Sequence, residues 1–228
     1  MNTLRVLNVT QTFQETAVFP VAALSNVSLD IERGSFLALC GPSGSGKTTL
    51  LNLLGCLAKP TQGQVFFDQF EVSRLSQKEL ARFRLHKIGF IFQEYNLIPT
   101  FTAAENIEYP LWLQGTGTAE RAKRSKELAE RFGIEKLLNR KPSQLSRGQQ
   151  QRVAVARALI HRPQLVLGDE LTANLDHKTG TELMEFLKQL NREEKTTFLY
   201  ATHDPIMMKY AEKLIRLQDG KLQPAASN

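Results

Sequence analysis

Short apolar runs alternate with longer amphipathic ones along this chain. "PQLVLGDE" from Pro163 and "TTFLYATH" from Thr196 are apolar through their middles. That is the pattern of strands lying inside a parallel sheet, buried on both faces. "LRVLNV", "NVSLDI" and "SFLALC" also read as strands, with "ERG" turning between the last two. "QVFFD" and "KIGFIF" add two more. Helical spacing shows in Leu183, Phe186, Leu187 and Leu190, which fall at i, i+3, i+4 and i+7 on one face. "KTTLLNLLGCLA" reads as a helix from Lys47 to Ala58, closed by Lys59, Pro60 and a loop ending at Gly63. The region from Glu94 to Arg162 is mostly helical in pattern, and "KLIRLQDGKLQP" predicts a hairpin turning on Asp219 and Gly220. There is no internal repeat and no low-complexity linker. The order of elements predicts an α/β core with an inserted helical lobe.

The strand "SFLALC" runs directly into "GPSGSGKTT", comprising Gly41, Pro42, Ser43, Gly44, Ser45, Gly46, Lys47, Thr48 and Thr49. Gly41, Gly46, Lys47 and Thr48 satisfy G-x-x-x-x-G-K-[ST] between a predicted strand and a predicted helix. Glycines let the loop wrap closely enough for successive N–H groups to face phosphate oxygens, and the helix start adds its positive dipole end. Lys47 would reach the β- and γ-phosphates, and the Thr48 hydroxyl would ligate Mg²⁺. The expected ligands are therefore a nucleoside triphosphate and Mg²⁺.

Hydrolysis needs acids near the metal. "LVLGDE" ends in Asp169 and Glu170, delivered to the carboxyl edge of the sheet, where α/β proteins bind ligands. Asp169 is expected in the Mg²⁺ shell and Glu170 as the base that takes a proton from the attacking water. Gln93 follows "IGFIF" and His203 follows "TTFLYAT", so both should reach the same edge. There Gln93 could ligate Mg²⁺ or place water, and His203 could contact the γ-phosphate.

A second anion site is legible in "LSRGQQQRVAVARALIHRP". Ser146 reads as an N-cap, and Val153, Ala156, Leu159 and Ile160 mark the buried face of the helix that follows. Two anion sites far apart in one sequence suggest that the second serves another molecule's nucleotide.

Composition adds constraints. The chain has 228 residues and a formal charge of +6, which favours anionic partners. Its two cysteines, Cys40 and Cys56, lie in apolar runs and read as small buried hydrophobes of a reducing compartment. No window approaches the ~20 apolar residues of a bilayer span, and the start has no signal-peptide pattern, so a cytosolic chain is expected. The basic stretches "RFRLHK" and "AERAKRSKELAERFG" read as solvated helix faces. Nothing in them resembles nucleic-acid readout, and no nucleic-acid partner is expected.

Taken together these motifs resemble the ATP-binding subunits of ABC transporters over nearly the whole chain. "GPSGSGKT" looks like the P-loop, "LSRGQ" like the signature, "LVLGDE" like the Walker B strand, and Asn174, Leu175 and Asp176 like the D-loop. His203 looks like the switch histidine, and Phe13 stands where the family stacks an aromatic ring on adenine, although plain core is an equal reading. The resemblance implies a P-loop NTPase core of RecA-like type (1–93 and 164–228), an N-terminal antiparallel β region and a helical signature subdomain (94–163). It also implies a head-to-tail dimer around two ATPs, in which Ser146, Arg147, Gly148 and Gln149 complete the partner's site. Integral membrane subunits are the further partners, with the chain held peripherally at the cytoplasmic face of the membrane. "FQEYNLIPTFTAAENIEYPL" and "GDELTANLD" are similar to the branch of lipoprotein-release, macrolide-export and cell-division ATPases. Transport, signalling without transport, and a soluble ABC role in DNA repair or translation all remain open readings, the last being short of chain. Three positions depart from the family pattern: Arg147 for glycine, Leu171 for proline and Ala173 for glycine.

Overall fold

The computed structural model describes residues 2–13 and 21–224. The chain runs β1 (Asn2–Phe13), β2 (Val21–Glu32), β3 (Phe36–Cys40), α1 (Lys47–Leu54), β4 (Gln62–Phe67), β5 (Phe70–Glu71), α2 (Gln77–Lys87) and β6 (Ile88–Ile91). Three helices follow, α3 (Ala103–Leu113), α4 (Thr118–Arg131) and α5 (Arg147–Leu159). The chain then returns through β7 (Leu165–Asp169), α6 (His177–Glu194), β8 (Thr197–Ala201), α7 (Pro205–Met208), β9 (Lys213–Gln218) and β10 (Lys221–Leu222).

The larger sheet has the order β10-β9-β3-β8-β7-β6 and is parallel except at β10. The continuous apolar runs are explained by burial on both faces. In β3, β7 and β8, Phe36, Ala38, Val166, Phe198 and Tyr200 face a core shared with α3, α5 and α6. Their neighbours Leu37, Leu39, Leu165, Leu167 and Leu199 face a second core, made with α1 and the antiparallel sheet β2-β1-β4-β5. Apolar residues on both sides leave no solvated face, hence no alternation. The hairpin falls where expected: Lys221 pairs with Gln218 across Asp219 (φ 48°) and Gly220 (φ 72°), the two left-handed residues of a type I′ turn.

Helix α1 stops four residues short of the predicted end. Gly55 caps it, and Cys56 takes a left-handed φ of 56°, so Cys56, Leu57 and Ala58 turn away from the helix axis. Lys87 closes α2 rather than opening β6. Helix α2 begins at a reciprocal cap between Ser76 and Glu79, and α3 at the same motif between Thr102 and Glu105. The basic faces of α2 and α4 are solvated, with Leu80 the only buried residue of the first. Cys40 and Cys56 are free and buried, and burial pushes the Cys56 thiol up to about 12. Among the described residues, no helix is long and apolar enough to cross a membrane.

Candidate functional site

The loop between β3 and α1 is shaped by what leaves no room for side chains. A Cβ on Gly41 would sit 2.0 Å from the Leu217 carbonyl oxygen, and Gly46 has φ +101°, a conformation other residues rarely adopt. Gly41→Ala is therefore expected to displace backbone and cost about 1–3 kcal/mol of stability, as overpacking does, read by urea unfolding. No side chain caps α1 and no acid lies in its first turn, so its first N–H groups are not spent on the protein's own side chains. Lys47 Nζ donates to the Gly41 and Pro42 carbonyls, each at 2.9 Å, which curls the loop around the ammonium. Ser45 is buried, and its hydroxyl oxygen has no partner.

Thr48 Oγ1 donates to Asp169 Oδ2 at 2.9 Å. The two groups expected to share a metal thus meet, although 121 residues separate them. A hydroxyl and a carboxylate are the hard oxygen donors that Mg²⁺ prefers, so the pair fits that ion.

The parallel ladder also carries the remaining expected residues to this edge. Past the end of β7, the Glu170 N–H still donates to Ala201 O at 3.1 Å, and the Thr202 N–H donates to Leu39 O at 3.1 Å. Glu170 then turns out of the strand with φ 50°. Its Oε1 lies 2.7 Å from His203 Nδ1. The imidazole is largely exposed while the carboxylate side chain is 16% exposed. A histidine bound to a carboxylate, beside a loop built for phosphate, can present its other ring nitrogen outwards. Gln93 lies two residues beyond Ile91, which pairs with Gly168 in register, and its side chain is exposed at the same edge. Asn174 donates from Nδ2 to the Gln93 carbonyl at 2.9 Å.

Phe13 closes the β1–β2 ladder opposite Val21 and is 46% exposed, which argues against the plain-core reading. Two residues past Val21, the Ala23 carbonyl approaches Gly46, so Phe13 ends near the phosphate loop.

The signature lies elsewhere. Ser146 caps α5 in a reciprocal box: its hydroxyl accepts from Gln149 N at 3.3 Å, and Gln149 Oε1 accepts from Ser146 N at 2.9 Å. Part of Gln149 is therefore committed to the cap. Ser146, Arg147, Gly148 and Gln149 share one open cleft of about 550 Å³ with Asn174, Leu175 and Asp176. No residue of 41–49 lines that cleft. Asp176 is itself the N-cap of α6, accepting from Thr179 N at 3.0 Å, and the Thr179 hydrogen bonds hold its carboxyl below its ordinary range. Space at Gly148 is already limited within the same chain, where a Cβ would meet Thr179 Cγ2 at 3.3 Å.

The departures have structural answers. Leu171 is buried and covers Gly168, where a Cβ would lie 2.4 Å from Leu171 Cδ2. The Leu171 carbonyl accepts from the buried Gln151 amide at 2.9 Å. Ala173 is exposed and lacks a positive φ, so the backbone does not require glycine. Arg147 is exposed at the first position of α5. Its charge reaches the Tyr95 hydroxyl, whose pKa burial raises and Arg147 lowers.

One feature has no counterpart in the sequence patterns. An open, largely apolar groove of about 650 Å³ is lined by Leu57, Leu85, Phe90, Ile98 and Leu113, with Arg157 among its walls. Its walls come from α2, β6, α3 and α5 together with the loops that carry Leu57 and Ile98.

Comparison with known proteins agrees with this architecture. The family model described as ABC transporter matches residues 24–173. An uncharacterized ABC transporter ATP-binding protein of Methanocaldococcus jannaschii is 45% identical over 226 residues, covering 96% of this chain and 95% of that one. A dimeric structure of that cassette in a post-hydrolysis state, bound to ADP and Pi, superposes with a TM-score of 0.91 at 44% identity and covers 96% of each chain. The macrolide export ATP-binding/permease protein MacB of Syntrophobacter fumaroxidans is 45% identical over 206 residues, which are 90% of this chain but 29% of that protein. On the matched family, the shared fold and the phosphate loop set against Asp169 and Glu170, the chain belongs to the ABC transporter family and is an ATP-hydrolysing ATP-binding cassette.

Proposed function

We propose that two copies of this chain close head to tail around two ATP molecules and drive a membrane-spanning partner, in a complex of the lipoprotein-release or macrolide-export type. The observation that carries this reading is the separation of two half-sites on one chain. The phosphate loop meets Asp169 through Thr48, whereas the signature and the residues of the D-loop line a different cleft. The dimeric, ADP- and Pi-bound structure of the Methanocaldococcus jannaschii relative supports self-dimerisation.

Lys47 and the α1 N-terminus take the β- and γ-phosphates. Thr48 and Asp169, with Gln93, hold Mg²⁺, which neutralises charge on the phosphate oxygens when bound. Glu170 takes the proton of the attacking water, and His203, joined to it at 2.7 Å, faces the γ-phosphate. Phe13 stacks on adenine. From the second chain, Ser146, Arg147 and Gly148 offer the N-terminus of α5 to the γ-phosphate, Gln149 holds that cap, and Asn174, Leu175 and Asp176 meet the opposite copy. Residues 1–93 with 164–228 act as the core lobe and 94–163 as the helical lobe.

The apolar groove is where we expect a cytoplasmic segment of the membrane subunit to dock. The MacB relative carries a permease within its own longer chain, and no helix described here could span a bilayer. The chain would then sit peripherally at the cytoplasmic membrane face. Affinity purification from detergent-solubilised membranes tests this: co-purification of an integral membrane protein is expected, and its loss on Leu113→Asp. Recovery of the chain alone from the membrane fraction would count against it.

Two substitutions test the signature. Arg147→Gly should change steady-state ATPase activity by less than about tenfold, or ~1.4 kcal/mol in the barrier. At the first helical position the arginine side chain is exposed, and the cap does not use it. Gly148→Asp should nearly abolish activity, because it brings a carboxylate to the cleft assigned to the partner's phosphate and crowds Thr179. Both are measured in the assembled complex at saturating ATP. A collapse in Arg147→Gly would make that arginine a working part of the site, and an active Gly148→Asp would remove the role given to the signature.

A further inference from the structure

Helix α5 carries a cation without an acidic partner. Arg157 donates from Nη1 to the Asn96 carbonyl at 2.6 Å and from Nη2 to the Tyr95 carbonyl at 2.7 Å. Among the described residues no carboxylate pairs with it, and burial lowers its pKa to about 10. A half-buried guanidinium needs its N–H groups taken up, and here two neutral carbonyls do it. Those carbonyls belong to a strained turn. Tyr95 (φ 61°) and Asn96 (φ 45°) are consecutive left-handed residues, and neither is glycine. The turn is tight, with Tyr95 N donating to Phe92 O at 3.1 Å and Asn96 N to Glu94 O at 2.6 Å. Such a conformation persists when its surroundings hold it in place.

The same turn carries Gln93 to the nucleotide edge. Its carbonyl is held from the other side by Asn174 at 2.9 Å. Just upstream, a Cβ on Gly89 would lie 2.2 Å from the Ala158 carbonyl, so β6 and α5 are in backbone contact beside Arg157. Ten residues earlier α5 begins with Arg147, about 15 Å away along the axis at 1.5 Å per residue.

We infer that Arg157 is a positioning residue for hydrolysis: its two-pronged grip on the Tyr95 and Asn96 carbonyls sets the placement of Gln93 and ties it to the helix that carries the signature. The inference rests on the reading of Gln93 as a ligand of metal or water.

A double-mutant cycle with Gln93→Ala and Arg157→Lys tests it, read as kcat at saturating Mg-ATP with ATP affinity in EDTA as a control. Lysine keeps the charge but not the planar fork. Arg157→Lys should lower kcat about tenfold, the scale of loss from sub-ångström misplacement, with affinity in EDTA within about twofold of the parent. In the Gln93→Ala background the same change should add less than about twofold, since residues acting as one unit are not additive. An equal loss in both backgrounds, an unchanged kcat in Arg157→Lys, or a parallel loss of affinity in EDTA would each overturn the assignment. If Gln93→Ala alone leaves kcat unchanged, the ligand role of Gln93 fails first, and the role of Arg157 falls with it.

Discussion

Lys47→Ala is expected to abolish tight ATP binding. Lys47 is the only cation in the loop 41–49, and its ammonium already sits within the ring of loop carbonyls, 2.9 Å from Gly41 O and Pro42 O. Hydrogen bonds from a charged donor contribute about 1.5–3 kcal/mol each. Losing those that Lys47 would make to two phosphates should weaken binding by roughly two orders of magnitude or more on the same scale. Folding should be little affected, because the Pro42 carbonyl lies at an exposed residue and can turn to water. Nucleotide titration reads the result, and an ATP affinity equal to the parent's would contradict the role given to the loop.

Glu170→Gln should retain ATP binding and slow hydrolysis by roughly 10²- to 10⁴-fold, the usual contribution of a general base. The amide preserves shape and can still pair with His203 across 2.7 Å, but it cannot accept the proton of water. Thr48, Asp169 and the loop are untouched, so the loss belongs in kcat and not in affinity. Phosphate release at saturating ATP, set beside nucleotide titration, separates the two. A variant as fast as the parent would move the base to another group.

Much of this site was legible in the sequence because its chemistry is local. The glycines, Lys47 and Thr48 are contiguous, and apolar strands ending in Asp169, Ala201 and Ile91 announce one sheet edge. The hairpin at Asp219 and Gly220 was readable because both residues tolerate the left-handed turn it needs. The Ser76–Glu79 and Thr102–Glu105 caps also have a signature in the sequence, the S-x-x-E and T-x-x-E spacing that marks a helix start. The early end of α1 was hidden, since Cys56 in a left-handed conformation has no sequence signature. The pairings Thr48–Asp169 and Asn174–Gln93, and the grip of Arg157, join residues 121, 81 and 61 positions apart. Such contacts are products of topology. Likewise the apolar groove is lined by elements that are separately unremarkable in the sequence. The departures at Leu171 and Ala173 are likewise accommodated locally, one packed on Gly168 and the other with ordinary backbone.

The most direct test of the two-chain site is the mass of Glu170→Gln in solution, measured by light scattering during size-exclusion chromatography with and without saturating Mg-ATP. A head-to-tail pair that traps ATP predicts the mass of one chain without nucleotide and of two chains with it, and Gly148→Asp in the same background should return it to one. A single-chain mass at saturating ATP, in a variant shown to bind nucleotide, would contradict the sandwich.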